Sequence, residues 1–143
     1  MADVVSIHKR SEIMSRIRSR GNKDTELALA KLFRKQHIIG WRRSQRLFGN
    51  PDFVFHKNKL VVFVDGCFWH RCPIHGTQPK GNRLFWEKKF ERNQIRARLV
   101  NRTLRREGWR VLRIWEHELS RKNEVRLLKR VHSALAYSFA NAA

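Results

Sequence analysis

The segment FVFHKNKLVVFVDG, residues 53–66, constrains the fold more than any other part of the chain. It has two apolar runs rich in valine and phenylalanine on either side of the polar stretch HKNK, and this predicts two strands joined by a tight turn. A turn centred on Lys57 and Asn58 pairs residues whose numbers sum to 115, so Asp52 faces Phe63. Side chains alternate along a strand, so Phe63 and Asp65 share a face. Asp52 and Asp65 are then diagonal neighbours, roughly 7–8 Å apart at the backbone. A loop of odd length would break this register.

The other elements arrange themselves around that hairpin. Ser11 can cap a short arginine-rich helix, EIMSRIRSR, which Gly21 and Asn22 break. A second helix, TELALAKLFRKQH, places Leu27, Ala30 and Phe33, or Leu29 and Leu32, on an apolar side. WRRS reads as a short strand, and LFGNPD as a turn by its Gly, Asn and Pro. Residues 66–81 are irregular. A long helix follows Asn82 and ends at Gly108, with Trp86, Phe90, Ala97, Val100 and Leu104 near helical spacing. WRVLRIW is a further strand, and a last helix runs from about Asn123 to Phe139. This order predicts an α/β sandwich with a small mixed sheet, and a length of 143 residues predicts one domain over 1–143.

Charge narrows the function. Thirty-two Lys and Arg against twelve Asp and Glu give a net charge of +20, which suits a polyanionic partner, most commonly nucleic acid. The competing reading is a basic protein that is merely soluble. No apolar run reaches the ~20 residues of a membrane span, and the N-terminus lacks the apolar core of a signal peptide. A soluble, cytoplasmic protein that makes no membrane contact is expected. Arg16 and Arg18 on the first helix, with Arg20, Arg42, Arg43 and Arg46, are candidate phosphate contacts, or else a solvated basic face. No heptad seam is evident, so a monomer is expected.

Within that setting, Asp52 and Asp65 could share a hard cation or its waters, and Glu26 could add an outer-shell carboxylate. A cation beside a phosphodiester neutralises charge and acidifies water. Asp52 as a turn residue and Asp65 as a strand-end cap is the plainer alternative. Both cysteines fall in VDGCFWHRCPIHG, residues 64–76. Cys67, Cys72 and His75, with the distant His117, supply four donors that suit tetrahedral zinc. Two buried thiols with surface histidines, or a short-loop disulfide, would also fit this pattern. His70 is a candidate general base, with a fifth zinc donor as its other reading. Phe68 and Trp69, with Phe85 and Trp86 on the following helix, could wedge into a base stack, or form a small core under the loop.

With these residues in place, the chain resembles the very-short-patch-repair (Vsr) mismatch endonucleases. The resemblance runs from about Arg10 to Glu118, through RSEIMSRIRSRGNKDTE, GNPDFVF, VVFVDGCFWHRCPIHGTQPKGNRLFWEKKFERN and GWRVLRIWEHEL. It implies a restriction-endonuclease-like α/β/α sandwich of the PD-(D/E)xK type and a magnesium-dependent nick in one DNA strand beside a T:G mismatch. Asp52 would ligate magnesium with the backbone carbonyl of Val64, Glu26 would hold water on that ion, and His70 would activate the attacking water. Cys67, Cys72, His75 and His117 would bind structural zinc. Phe68, Trp69 and Trp86 would push into the stack, while the N-terminal arm of about residues 1–20, including Met14, lies against the other groove. Repair proteins and a DNA methyltransferase are the implied associates, in a bacterial-type, nucleoid-associated setting. The chain departs from its best-known relatives at three positions: Asp65 stands where the best-known member has a histidine, though many relatives carry Asp there, Ala97 where the family often has an acidic partner of the catalytic histidine, and His117 where a zinc-binding cysteine is usual. The rival readings are a homing-type or restriction-linked nuclease on the same scaffold, and a zinc-stabilised DNA-binding module without catalysis.

Overall fold

The computed structural model describes residues 25–67, 73 and 81–136. Helix α1 covers 25–35, followed by strands β1 (Trp41–Arg42), β2 (Phe53–Phe55) and β3 (Leu60–Asp65). Helix α2 (Arg83–Arg106) leads to β4 (Arg110–Trp115), two short 3₁₀ turns (Glu116–Leu119 and Arg121–Asn123) and α3 (Glu124–Ala136). The four strands form one mixed sheet in chain order, β1 to β3 antiparallel and β3 to β4 parallel. A parallel neighbour needs a crossover connection, and α2 supplies it.

The hairpin register is the one expected from the turn. Phe53 pairs with Val62, Val54 with Val61 and Phe55 with Leu60, each pair summing to 115. Lys59 closes the turn at φ 51°, with its amide donating to the His56 carbonyl at 3.3 Å.

Alternation along the strands then builds two cores. On one face Phe53, Phe55, Leu60, Val62, Val64 and Ile114 pack against α1 and α3. Phe33 of α1 meets Phe53 and Phe55 edge-on, with ring centroids 5.2 and 5.8 Å apart. From α1 it is Leu29, Ala30 and Phe33 that are buried, whereas Leu27 is 42% exposed, so the buried face combines members of both apolar sets its sequence allowed and matches neither. On the other face Val54, Val61 and Phe63 pack against Val100 and Leu104 of α2 and against Trp109. A small mixed sheet with helices on both sides is therefore observed. Among the described residues no helix is long and apolar enough to cross a membrane.

The LFGNPD turn is pressed against α2. Gly49 has φ +80°, and a Cβ built there would lie 2.4 Å from Val100 Cγ1. Val100 is buried and β-branched, so its side chain has little room to yield. Gly49→Ala is expected to destabilise the fold by roughly 1–3 kcal/mol, read as a lower urea midpoint with unchanged m-value.

Candidate active site

The second core is incomplete at its upper end, and the gap is chemical. Inward positions of α2 follow helical spacing through Trp86, Phe90, Asn93, Ala97, Val100 and Leu104. The apolar members at both ends are buried, but Asn93 and Ala97 in the middle line a cavity of about 350 Å³. The opposite wall is the sheet. Asp52, two residues before Val54, and Asp65, two residues after Phe63, both open onto it. The expected diagonal pair is thus brought together on one face of one sheet.

Asp52 is fixed by the strand beside it. Its amide donates to the Val62 carbonyl at 3.0 Å, and its Oδ2 accepts from the Val64 amide at 2.7 Å. Its carboxyl is pushed up from an ordinary 3.8 to about 6, chiefly by burial. The Val64 hydrogen bond works against that rise, the nearby Glu26 and Asp65 carboxylates add to it, and the Arg113 guanidinium opposes it. A buried carboxyl with acidic neighbours gains most from a cation placed beside it. Asp52 is the residue best suited to hold one.

Glu26 accepts from Arg43 Nε at 2.9 Å, so this arginine, a candidate phosphate contact by sequence, is committed to a carboxylate. Asp65 is 7% exposed, and its Oδ1 accepts from Arg113 Nη1 at 2.8 Å. Arg113 also donates through Nε to Asn101 Oδ1 at 2.7 Å, and its guanidinium lies 4.2 Å from the centroid of the Phe63 ring. Among the described residues, no three of His, Cys, Asp and Glu converge on one point that could hold an ion.

The proposed zinc set is represented by two members. Buried Cys67 places its Sγ 3.4 Å from His117 Nδ1, although 50 residues separate them. Bond lengths of about 2.3 Å to sulfur and 2.0 Å to nitrogen at a tetrahedral ion put the two donors roughly 3.5 Å apart, so the pair fits one zinc. The His117 ring also stacks on Trp115, with centroids 6.5 Å apart. Cys72, His75, His70, Phe68 and Trp69 lie outside the described residues, as do Met14, Arg16 and Arg18.

Trp86, a candidate prong, is 5% exposed and stacks on Phe90 at 5.9 Å. The exposed aromatic at the start of α2 is Phe85, 56% exposed. Burial follows from the helical stripe: residue 86 is one turn from Phe90, whereas 85 lies off that face.

Arg113, Arg96 and Asn93 are cavity residues that the sequence reading missed. For Arg113 a signal existed. In WRVLRIW, Val111 and Arg113 share the face opposite Leu112 and Ile114, so the arginine interrupts an apolar strand on its buried side. Arg96 and Asn93 were hidden within a helix crowded with basic residues.

A family model described as DNA mismatch endonuclease Vsr matches residues 2–75. The type II nicking enzyme V.NmeDIP of Neisseria meningitidis serogroup C is 39% identical over 135 residues, covering 93% of this chain and 90% of that protein. The DNA mismatch endonuclease Vsr of Escherichia coli K12 is 37% identical over 119 residues, covering 81% of this chain and 74% of that protein. The type II nicking enzyme V.NaeI of Lentzea aerocolonigenes is 49% identical over 94 residues, which span 64% of this chain but only 55% of its own length.

Proposed function

Because this chain belongs to the DNA mismatch endonuclease Vsr family, we propose that it nicks one strand of duplex DNA beside a T:G mismatch by magnesium-dependent phosphodiester hydrolysis. The product ends are a 5′-phosphate and a 3′-hydroxyl, and the nick initiates short-patch repair. The observation that carries this reading is the placement of Asp52 and Asp65 on one sheet face, over a cavity, in a chain of net charge +20. The parallel β3–β4 pair spanned by α2 supports the finer fold assignment, a restriction-endonuclease-like sandwich.

Asp52, with the Val64 backbone carbonyl, would hold the magnesium. When bound, that ion supplies charge neutralisation at the phosphate and a lowered pKa for a coordinated water. The protein's own contribution is positional. The Val64 amide fixes one oxygen of Asp52, and Arg43 fixes Glu26, which would hold water on that ion. His70 would take the proton from the attacking water as general base. Phe68 and Trp69 open the stack at the mismatch, and the exposed Phe85 can add to that prong. Cys67, Cys72, His75 and His117 would hold a structural zinc; the Cys67–His117 approach supports this set.

The test is nicking of end-labelled duplexes with one T:G pair, in magnesium and in EDTA, beside the matched duplex. Cleavage of one strand in magnesium, none in EDTA and much less on the matched duplex is expected. Equal cleavage of matched DNA would instead assign the scaffold to a restriction-linked or homing target. Salt-sensitive binding with no cleavage in magnesium or manganese would leave only a DNA-binding module.

A further inference from the structure

The cavity is lined by two arginines in different situations. Arg113 is engaged: its Nη1 donates to Asp65 Oδ1 at 2.8 Å and its Nε to Asn101 Oδ1 at 2.7 Å. Arg96 is exposed, and among the described residues it makes no hydrogen bond and no ion pair. A guanidinium at the mouth of a cavity, bonded to neither of its carboxylates, can receive an incoming anion. Its planar fork matches two oxygens of a phosphate.

The place of Arg96 on α2 says which anion it would meet. Phe85, Lys89, Arg92 and Arg96 follow the spacing i, i+4, i+7, i+11 and so share one flank of the helix. Lys89 Nζ lies 5.8 Å from the centroid of the Phe85 ring, in keeping with that spacing. From the exposed Phe85 the flank runs about 16 Å along the helix to the cavity that Asp52 lines. A strand opened at an aromatic prong and cut beside Asp52 would follow this flank, and Arg96 stands at its cavity end.

We propose that Arg96 is a substrate-binding residue that seats the phosphate of the cut strand, its guanidinium donating to the non-bridging oxygens in the cavity beside Asp52. Negative charge that builds on those oxygens during hydrolysis strengthens the contact, so Arg96 acts on the rate as well as on binding. This inference rests on the nuclease reading of the site and adds to it the side chain that holds the reacting group.

The experiment couples the side chain to one phosphate. The cut position is first mapped with wild type in magnesium on a duplex with one T:G pair. A methylphosphonate, in which a methyl replaces one charged oxygen, is then placed at that position or a few nucleotides away. Full-length, zinc-replete protein is titrated against each duplex in magnesium-free buffer by fluorescence anisotropy. The loss of affinity caused by the methylphosphonate at the cut position is expected to be ~10-fold larger for wild type than for Arg96→Met. A few nucleotides away the two proteins should agree within about 2-fold. Arg96→Lys, a point charge in place of the fork, should keep part of the coupling. Arg102→Met removes the same charge from the outward side of α2 and should behave as wild type. In magnesium, Arg96→Met should nick the unmodified duplex roughly 10²-fold more slowly. Equal losses for wild type and Arg96→Met at the cut position, or an Arg102→Met that loses the coupling as well, overturn the proposal, while the magnesium-dependent nick by wild type leaves the nuclease reading standing. A wild type that does not nick in magnesium overturns both. Methionine is about as good a helix former as arginine, and should circular dichroism show Arg96→Met misfolded, Arg96→Gln is the second neutral variant and decides the same comparison.

Discussion

The Asp52→Asn protein is expected to nick at least ~10³-fold more slowly than wild type, since the cation it would hold is worth several kcal/mol in the transition state. It is also expected to be the more stable protein at neutral pH when divalent cations are absent. The folded chain holds the Asp52 carboxyl at about 6, against an ordinary value of 3.8. An acid whose folded value is raised stabilises the fold fully only below the lower value, where it is protonated in both states. That stability is lost as pH rises from about 4 through about 6. Above that window the charged carboxylate costs about 2–3 kcal/mol, because each pKa unit is about 1.4 kcal/mol. Asparagine removes the charge and can still accept from the Val64 amide. Thermal melts at pH 4 and pH 8 in EDTA measure this. The variant should match wild type at pH 4 and melt several degrees higher at pH 8, and magnesium should close the gap by stabilising wild type alone. A variant that nicks normally, or that is less stable at pH 8, would remove Asp52 from the centre of the site.

Replacing His117 by alanine is expected to release zinc and lower the melting temperature by about 10 °C or more. Structural zinc contributes roughly 10–16 kcal/mol of apparent binding free energy in small folds, comparable with or larger than the whole stability of a domain. The ion would tie Cys67 to the end of β4 across 50 residues of chain. His117→Cys, with a thiolate in place of imidazole, should keep zinc and most of the stability. His117→Phe keeps an aromatic ring against Trp115 and separates the two roles of the residue. If stacking alone mattered, phenylalanine would suffice and cysteine would not. Metal analysis after dialysis gives the stoichiometry, and a value near zero for wild type would end the zinc assignment.

Much of the frame was legible in the chain. The hairpin was readable because HKNK admits one tight turn, and the turn fixes every pair that follows, down to Asp52 against the end of β3. Val111 to Trp115 and the helix after Asn82 were readable because each carries one clear period. The site was less so. The inward stripe of α2 could be drawn, but not that Asn93 and Ala97 would meet a cavity where Phe90 and Leu104 are packed among side chains.

The sequence by itself determined the hairpin strands, their mutual register and the face that carries both aspartates, because alternation and turn length are local properties of the backbone. Only the tertiary structure decided what stands beside each aspartate. Arg113 reaches Asp65 across the β3–β4 pairing, a contact 48 residues long in sequence that depends on the α2 crossover returning the chain beside β3. Charge neutralisation acts over a few ångströms of space, and spacing along the chain does not reveal it.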